Sequence, residues 1–281
     1  MASAANRLRI TPSAISKRIA LLEEEVGYKL IEPRGRKVEL TPAGVRLVER
    51  LAPLLAEMKS LLSDGSDDET TRGEAQLKIG VTDSVIASWG PLFLASITRK
   101  VRGIKLEIHA HRSPVIAERV LSGEFVGGLC AGAESRLSGL RSISLRSEPM
   151  VLIPSGLKKL SIGRQAEIEV ISIESHALTW SGLRGKLREL QESGGPSIKV
   201  RSEVESFAAV VQLAKAGFGH GLAPIGIATA LGVPSSTLVS LKSVSREVSW
   251  IARASTLGRS SLSEFFRVLE EEGRQIQHAS K

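Results

Sequence analysis

Twelve consecutive residues, Ser63-Asp-Gly-Ser-Asp-Asp-Glu-Thr-Thr-Arg-Gly-Glu74, contain no apolar side chain, and this run constrains the fold more than any other feature of the chain. A segment that buries nothing cannot offset the entropy of being ordered, so 63–74 reads as a flexible linker. It divides the 281 residues into a small N-terminal piece and a larger C-terminal one, 75–281. Residues 1–62 carry eleven basic and seven acidic side chains, the linker one and five, and residues 75–281 twenty-six and eighteen. Two basic pieces around an acidic hinge suit contact with nucleic acid and with anionic small molecules. No apolar stretch approaches the roughly 18 residues of a membrane span. The first residues lack the basic-then-apolar order of a secretory signal, so the expected location is cytoplasmic, without a membrane partner. Cys130 is the single cysteine, which excludes an intramolecular disulfide and a cysteine-cluster metal site. No metal and no cofactor are expected.

The N-terminal piece divides at 41. Ser3 to Leu8 is a short helix former, and Thr11-Pro12 supplies an N-cap residue followed by proline at the first helical position, from which a helix continues from Ser13 to Val26. Ile15, Ile19, Leu22 and Val26 recur at 4, 3 and 4, a stripe expected to be buried, while Ser13, Ser16 and Lys17 lie off it. A helix-turn-helix of this kind places the start of its second helix in the major groove, where small hydroxyls allow close approach and a cation reaches guanine or phosphate. Thr11, Ser13, Ser16, Lys17 and Arg18 are the candidate DNA contacts, Arg18 as a phosphate brace. Tyr28–Ile31 and Lys37–Leu40 read as two short strands of a wing, with Arg34 and Arg36 at its tip placed against the sugar-phosphate backbone or a minor groove. A solvated basic hairpin is the competing reading.

Thr41-Pro42 repeats the cap-plus-proline start and opens a helix over 42–62, in which Leu47, Leu51, Leu54, Met58 and Leu61 fall at 4, 3, 4 and 3. So narrow a seam suggests packing against a second copy, with an ordinary core-facing helix as the alternative. Pro53 in its middle predicts a kink or a weakened turn.

Ala4-Ala-Asn-Arg-Leu, Thr11-Pro-Ser-Ala-Ile-Ser-Lys-Arg-Ile, Leu22-Glu-Glu-Glu-Val-Gly-Tyr-Lys-Leu and Leu40-Thr-Pro-Ala-Gly resemble the winged helix-turn-helix of LysR-type transcriptional regulators. The resemblance extends through the linker helix and, more loosely, over the rest of the chain. It implies a one-component regulator that binds double-stranded DNA as a homodimer or homotetramer, couples a small-molecule effector to transcription and works with RNA polymerase. Family members carry a further helix ahead of the Ser-Ala-Ala segment, whereas here Met1 stands where that helix should have ended. An incomplete three-helix core and weakened DNA binding are therefore expected.

The C-terminal piece alternates strand-like and helix-like runs: Ala75–Val81, Ile86–Lys100, Ile104–Ile108, Pro114–Ser122 and Val126–Ala131. A second series follows in Met150–Ile153, a helix from about Ser181 to Gln191, Ile198–Val200, Val204–Ala216 and Gly221–Ala223, before Trp250-Ile-Ala and a final helix from Ser261 to about Glu272. Alternation of this kind means an α/β fold with a parallel sheet and ligands at the strand C-terminal ends. The fold expected overall is a winged helix-turn-helix and linker helix, then a two-lobed α/β effector domain of periplasmic-binding-protein type. Lobe I would take 75–147 and 246–281, and lobe II 148–245, with crossings near Ser147-Glu-Pro-Met and Ser243-Val-Ser.

Helix starts after strands offer unpaired N–H groups to an anion. Thr82 and Ser84 follow the first strand, and Thr179-Trp-Ser-Gly-Leu-Arg184 resembles the family's Ser-Gly-x-Arg helix start, which would set Ser181 opposite them. The resemblance adds Ser113 and Ser206. Each hydroxyl also reads as a plain helix cap. Together with the basic balance of the piece they suggest an anionic effector. Glu107, His109 and His111 share a strand face, but no fourth ligand accompanies them. Lys215-Ala-Gly-Phe-Gly-His-Gly221 follows a helix and reads as its C-cap rather than a dinucleotide loop. No nucleophile elbow or catalytic cysteine context is present, so an enzyme is disfavoured. The remaining alternative is a small-molecule binding protein of the same fold with impaired or lost DNA binding.

Overall fold

The computed structural model describes residues 5, 10–34, 37–64, 75–132, 139–163, 165–175 and 177–278, with a few side chains among them, including those of Pro53, Leu61 and Ser181, outside the description. The chain forms two compact units, Met1–Ser66 and Asp67–Lys281. Of the expected Ser3–Leu8 helix only Ala5 is described, Arg36 is outside, and most of the expected 63–74 linker lies outside as well.

In the first unit, α1 (Pro12–Val26) starts on Thr11, whose Oγ1 accepts the Ala14 N–H at 3.2 Å, and ends on Gly27 in the left-handed region at φ 81°. The wing is an antiparallel pair, β1 (Ile31–Arg34) and β2 (Lys37–Leu40). Its first strand begins at Ile31 rather than Tyr28, because the preceding backbone is already engaged. The Glu23 carboxylate accepts the N–H groups of Leu30 and Ile31 at 2.8 and 3.2 Å, and Thr41 Oγ1 donates to the Lys29 carbonyl at 2.7 Å. The same demand reshapes the expected stripe of α1. Ile15 is buried and Ile19 and Val26 are half-buried, but Leu22 is 38% exposed while Glu23 turns inward. Next comes α2 (Pro42–Asp64), one helix through Pro53, whose first turn is capped by Thr41 Oγ1 accepting the Gly44 N–H at 3.0 Å. A Cβ at Gly44 would stand 2.1 Å from the Leu30 carbonyl oxygen, so only glycine seats this helix on the hairpin base.

The second unit is built on one eight-stranded sheet of order β4-β3-β5-β10-β6-β9-β7-β8. Lobe I contributes β3 (Ala75–Val81), β4 (Ile104–Ala110) and β5 (Gly127–Ala131), mutually parallel, with α3 (Asp83–Ile86), α4 (Gly90–Lys100) and α5 (Ser113–Leu121). Two long strands, β6 (Leu140–Ile153) and β10 (Val239–Arg253), pair antiparallel and serve both lobes. On one side β10 pairs with β5, and on the other β6 pairs with β9 (His220–Pro224). Lobe II adds β7 (Glu167–Ile173) and β8 (Ser197–Val204), parallel, with α6 (Leu178–Glu192), α7 (Phe207–Lys215) and α8 (Ile225–Ala230). After a short helix α9 (Ala254–Leu257), α10 (Ser263–His278) returns to lobe I and packs on α4 and β6. Each lobe has its own core, one around Ile79, Leu129, Trp250 and Phe265, the other around Leu152, Val170, Val210 and Leu222.

Several boundaries differ from expectation for local reasons. The helix expected over 86–100 starts only at Gly90, as α4, and is preceded by the separate short helix α3, because the Gly90 backbone closes onto the Val85 carbonyl and Pro91 opens the new segment. The expected helix start at Ser181 lies at Leu178, with Ala177 as N-cap, so Ser181 is the fourth helical residue. β8 runs to Val204, and Ser206, not Val204, starts α7. β7 and α8 were not anticipated, although Glu167-Ile-Glu-Val-Ile-Ser-Ile alternates as a strand does. Among the described residues no helix is long and apolar enough to cross a membrane.

Candidate functional site

A cavity of about 100 Å³ lies between the lobes, where the C-terminal ends of β3, β5 and β7 meet the starts of α3, α5, α6 and α7. Thr82, Ser84, Ser113 and Ser206 all line it. Three of these hydroxyls are already engaged. Ser84 accepts from Arg246 Nη1 at 2.8 Å; Ser113 donates to the Ala131 carbonyl at 3.2 Å; Ser206 accepts the Ala209 N–H at 3.2 Å as the cap of α7. Thr82 differs. It sits at the N-cap position of α3, 6% exposed, and its Oγ1 is buried without a hydrogen-bond partner among the described residues. A buried hydroxyl left unpaired costs about 1–3 kcal/mol, a cost that a ligand's hydrogen bond removes. The side chain of Ser181 is outside the description.

Arg246 is the functional candidate that sequence reasoning missed. Projecting from β10 into the same cavity, it is 3% exposed and lies with its guanidinium 5.2 Å from the centre of the Phe207 ring. Its Nε and Nη2 both donate to Glu148 Oε2, at 2.9 and 2.6 Å, while Glu148 Oε1 has no hydrogen-bond partner among the described residues. On the β6 side of that pair, Arg146 stacks over Trp89 at 5.1 Å, and burial holds its guanidinium below the usual range. The sequence around it, Ser243-Val-Ser-Arg-Glu-Val-Ser, carries other charged and polar residues and does not single Arg246 out. Its partner is 98 residues away.

Besides the Arg246 contacts with Glu148 and Phe207, two further contacts among the described residues join the lobes at the cavity. Arg112, ahead of α5, reaches Glu174, at the end of β7, at 2.5 Å. Gly132, at φ 73°, brings its backbone so near α6 that a Cβ would lie 2.5 Å from the Leu178 carbonyl oxygen. A larger depression of about 520 Å³ on lobe II, lined by Phe218 and His220 among others, brings together none of the candidate residues.

On α1, Thr11, Ser13, Ser16, Lys17 and Arg18 are all exposed. Ser16 donates its proton back to the Pro12 carbonyl at 3.1 Å and so presents only acceptor lone pairs outward. Arg34 is exposed and paired with Glu39 at 2.7 Å, whereas Arg36 lies outside the described residues. Along α2, Leu47 is half-buried while Leu51, Leu54 and Met58 are 37%, 60% and 52% exposed within their unit.

The remaining clusters are structural. His109 Nε2 lies 2.8 Å from Glu107 Oε1, and the His109 and His111 rings stack against Phe125. Among the described residues no group of three or more His, Cys, Asp or Glu side chains is arranged to hold a metal. Cys130 is fully buried in β5, and burial pushes its thiol up to about 12.

A capped helix with exposed hydroxyl and basic side chains beside a basic wing, followed by a two-lobed α/β unit around a polar cleft, fits the plan of a ligand-responsive DNA-binding regulator. Residues 71–274 match the LysR substrate binding domain, and residues 1–45 match the bacterial regulatory helix-turn-helix protein, lysR family. The chain belongs to the LysR family of transcriptional regulators. It is 28% identical over 234 residues to an uncharacterized HTH-type transcriptional regulator of Vibrio cholerae, covering 83% of this chain and 76% of that protein. It is 26% identical to a probable hydrogen peroxide-inducible genes activator of Streptomyces viridosporus, covering 79% of this chain and 71% of that one. The fold is that of the LysR family regulator CbnR, with a TM-score of 0.64 at 19% identity over 97% of this chain and 93% of CbnR. The protein is a transcriptional regulator and not an enzyme. A binding protein that has lost its DNA-reading role is not favoured, since the helix-turn-helix family matches the whole N-terminal stretch.

Proposed function

We propose that this regulator reads double-stranded DNA as a homodimer or homotetramer, through the exposed start of α1 and the wing, and that a small effector bearing an anionic group binds between its lobes. Thr11, Ser13, Ser16, Lys17 and Arg18 would face the major groove, and Arg34 and Arg36 the backbone. The seam of α2, Leu47, Leu51, Leu54, Met58 and Leu61, would carry the second copy, and the assembled regulator would act on RNA polymerase. One observation carries the effector reading: the unpartnered hydroxyl of Thr82 shares its cavity with the Arg246 guanidinium. An effector bridging the lobes changes DNA affinity only by its differential affinity for two lobe arrangements, typically about 1–3 kcal/mol.

Direct peroxide sensing is a poorer reading. It requires a reactive thiolate, and Cys130, the chain's single cysteine, is buried with its thiol raised to about 12.

Calorimetric screening of small carboxylates and other metabolic anions against wild type and Thr82→Val tests the effector site, and anisotropy on an operator selected from random DNA tests the coupling. A hit should bind Thr82→Val about five- to tenfold more weakly, the worth of one hydrogen bond, and should shift operator affinity. Hits that bind both proteins equally, or leave DNA binding unchanged, refute the reading.

A further inference from the structure

The charges around the cavity do not favour a plain anion. Both arginines that line it are matched by acids, Arg246 by Glu148 and Arg112 by Glu174. Two more carboxylates line the same cavity: Asp83, at the start of α3 in lobe I, and Glu205, directly ahead of Ser206 in lobe II. Both are exposed, and neither has a hydrogen-bond or ion-pair partner among the described residues. Even with Arg146 counted behind Glu148, acids outnumber bases four to three. A simple carboxylate would enter against that excess, and Asp83 and Glu205 would remain unmatched, one on each lobe.

The deeper groups ask for the opposite charge. Three of the five N–H donors of Arg246 are taken, by Glu148 and Ser84, which leaves two. Beside them stands the Thr82 hydroxyl, nine-tenths buried and unpartnered. The cavity therefore offers donors on its floor and acceptors on both lips. Between them lie the apolar side chains of Ile173, Leu178 and Phe207.

We propose that the effector is a small zwitterionic amino acid, its carboxylate on the free N–H groups of Arg246 and the Thr82 hydroxyl, its ammonium held between Asp83 and Glu205. Closing the two acidic lips on one ammonium draws the lobes together, which a ligand without that group cannot do. This inference rests on the effector reading above.

The full chain is tested by thermal shift and calorimetry with the L-amino acids. Each is paired with its deaminated acid and its decarboxylated amine, as alanine with propionate and ethylamine. At least one amino acid should bind about tenfold or more tightly than its deaminated partner, the scale of a charge-assisted hydrogen bond. In Asp83→Asn/Glu205→Gln that preference should fall below about threefold, with affinity for the amino acid itself reduced and affinity for the deaminated acid retained or raised. Both side chains are exposed, so ligand-free melting should match wild type. Equal binding of the deaminated acid, a preference that survives in the double variant, or no amino acid bound at roughly 10 mM overturns the inference. If propionate-type acids bind and Thr82→Val weakens them, the effector cleft stands and the ammonium clamp alone falls. If no ligand responds to Thr82→Val, the parent reading falls with it.

Discussion

Replacing Arg246 with methionine removes the cation that neutralises Glu148. That carboxylate is 0% exposed, its Oε2 accepts both Arg246 donors, and its Oε1 has no other partner among the described residues. Arg146 also lies within electrostatic reach of Glu148, but its guanidinium is stacked on Trp89 and donates no hydrogen bond to that carboxylate among the described residues. Breaking a buried ion pair from one side typically costs about 3–5 kcal/mol, whereas replacing both partners by apolar groups is often neutral. For a unit of about 200 residues each kcal/mol moves Tm by roughly 2–4 °C, so Arg246→Met should melt roughly 6–20 °C below wild type. Arg246→Met/Glu148→Leu should recover most of that loss, giving a coupling of at least about 2 kcal/mol in the double-mutant cycle. Urea unfolding followed by tryptophan fluorescence reads it cleanly, since Trp89, Trp180 and Trp250, the three tryptophans of the chain, all lie in this unit. A loss below about 1 kcal/mol at unchanged m-value, or a double variant no better than the worse single one, would refute the reasoning.

At the DNA face, Lys17→Ala should cost about 1–3 kcal/mol on the selected operator and relax one base position, while Arg34→Ala should weaken all sequences alike and reduce the salt slope by about one. Equal losses for Lys17→Ala on operator and random DNA would make it a phosphate contact. Leu54→Lys/Met58→Lys should shift the mass measured by light scattering to that of the monomer, and an unchanged mass would return the α2 seam to a role within its own chain. Glu23 is held below its ordinary 4.5 by the Lys29 ammonium and then by the Leu30 and Ile31 N–H groups. A lowered folded-state value stabilises the fold above the unfolded one and is lost on acidification. The Tm gap between wild type and Glu23→Gln, present at neutral pH, should therefore narrow progressively as pH falls below about 4.5, and a gap that does not depend on pH refutes the assignment. Cys130 should resist iodoacetamide in the native protein and react after unfolding, and operator binding should survive peroxide treatment; prompt native labelling would contradict its burial.

What the sequence made legible was whatever local chemistry encodes. Thr11-Pro12 and Thr41-Pro42 cap their helices through side-chain oxygens three residues from the N–H they accept, and both starts could be read from the residues alone. Thr82 and Ser84 could be placed at the cleft by strand-then-helix order, and Ser113 and Ser206 were added to them by the family resemblance. What each hydroxyl does was not legible, because Ser84 is occupied by a residue 162 positions away and Ser113 by the end of a different strand. Glu148 and Arg246 were invisible for the same reason: each is one of several charges in a mixed polar and apolar strand, and nothing sets it apart until β6 and β10 are laid side by side. The stripe of α1 misled where a long-range demand, the hairpin's free N–H groups, turned Glu23 inward past Leu22.

The nesting of lobe II inside lobe I has a consequence for biosynthesis. Every strand and helix of lobe II except its share of β10 precedes that strand, so the inserted lobe leaves the ribosome nearly whole. Lobe I, although translated first, waits with Ile79 and Leu129 uncovered until Trp250, Phe265 and Phe266 arrive from the last strand and helix. At about 5–20 residues per second, the hundred or so residues between are a delay of several seconds in which a parallel sheet stands open to chaperones. The lobe begun earliest is the one finished last, and the cleft exists only once β10 has brought Arg246 to the hydroxyls laid down some 160 residues before it.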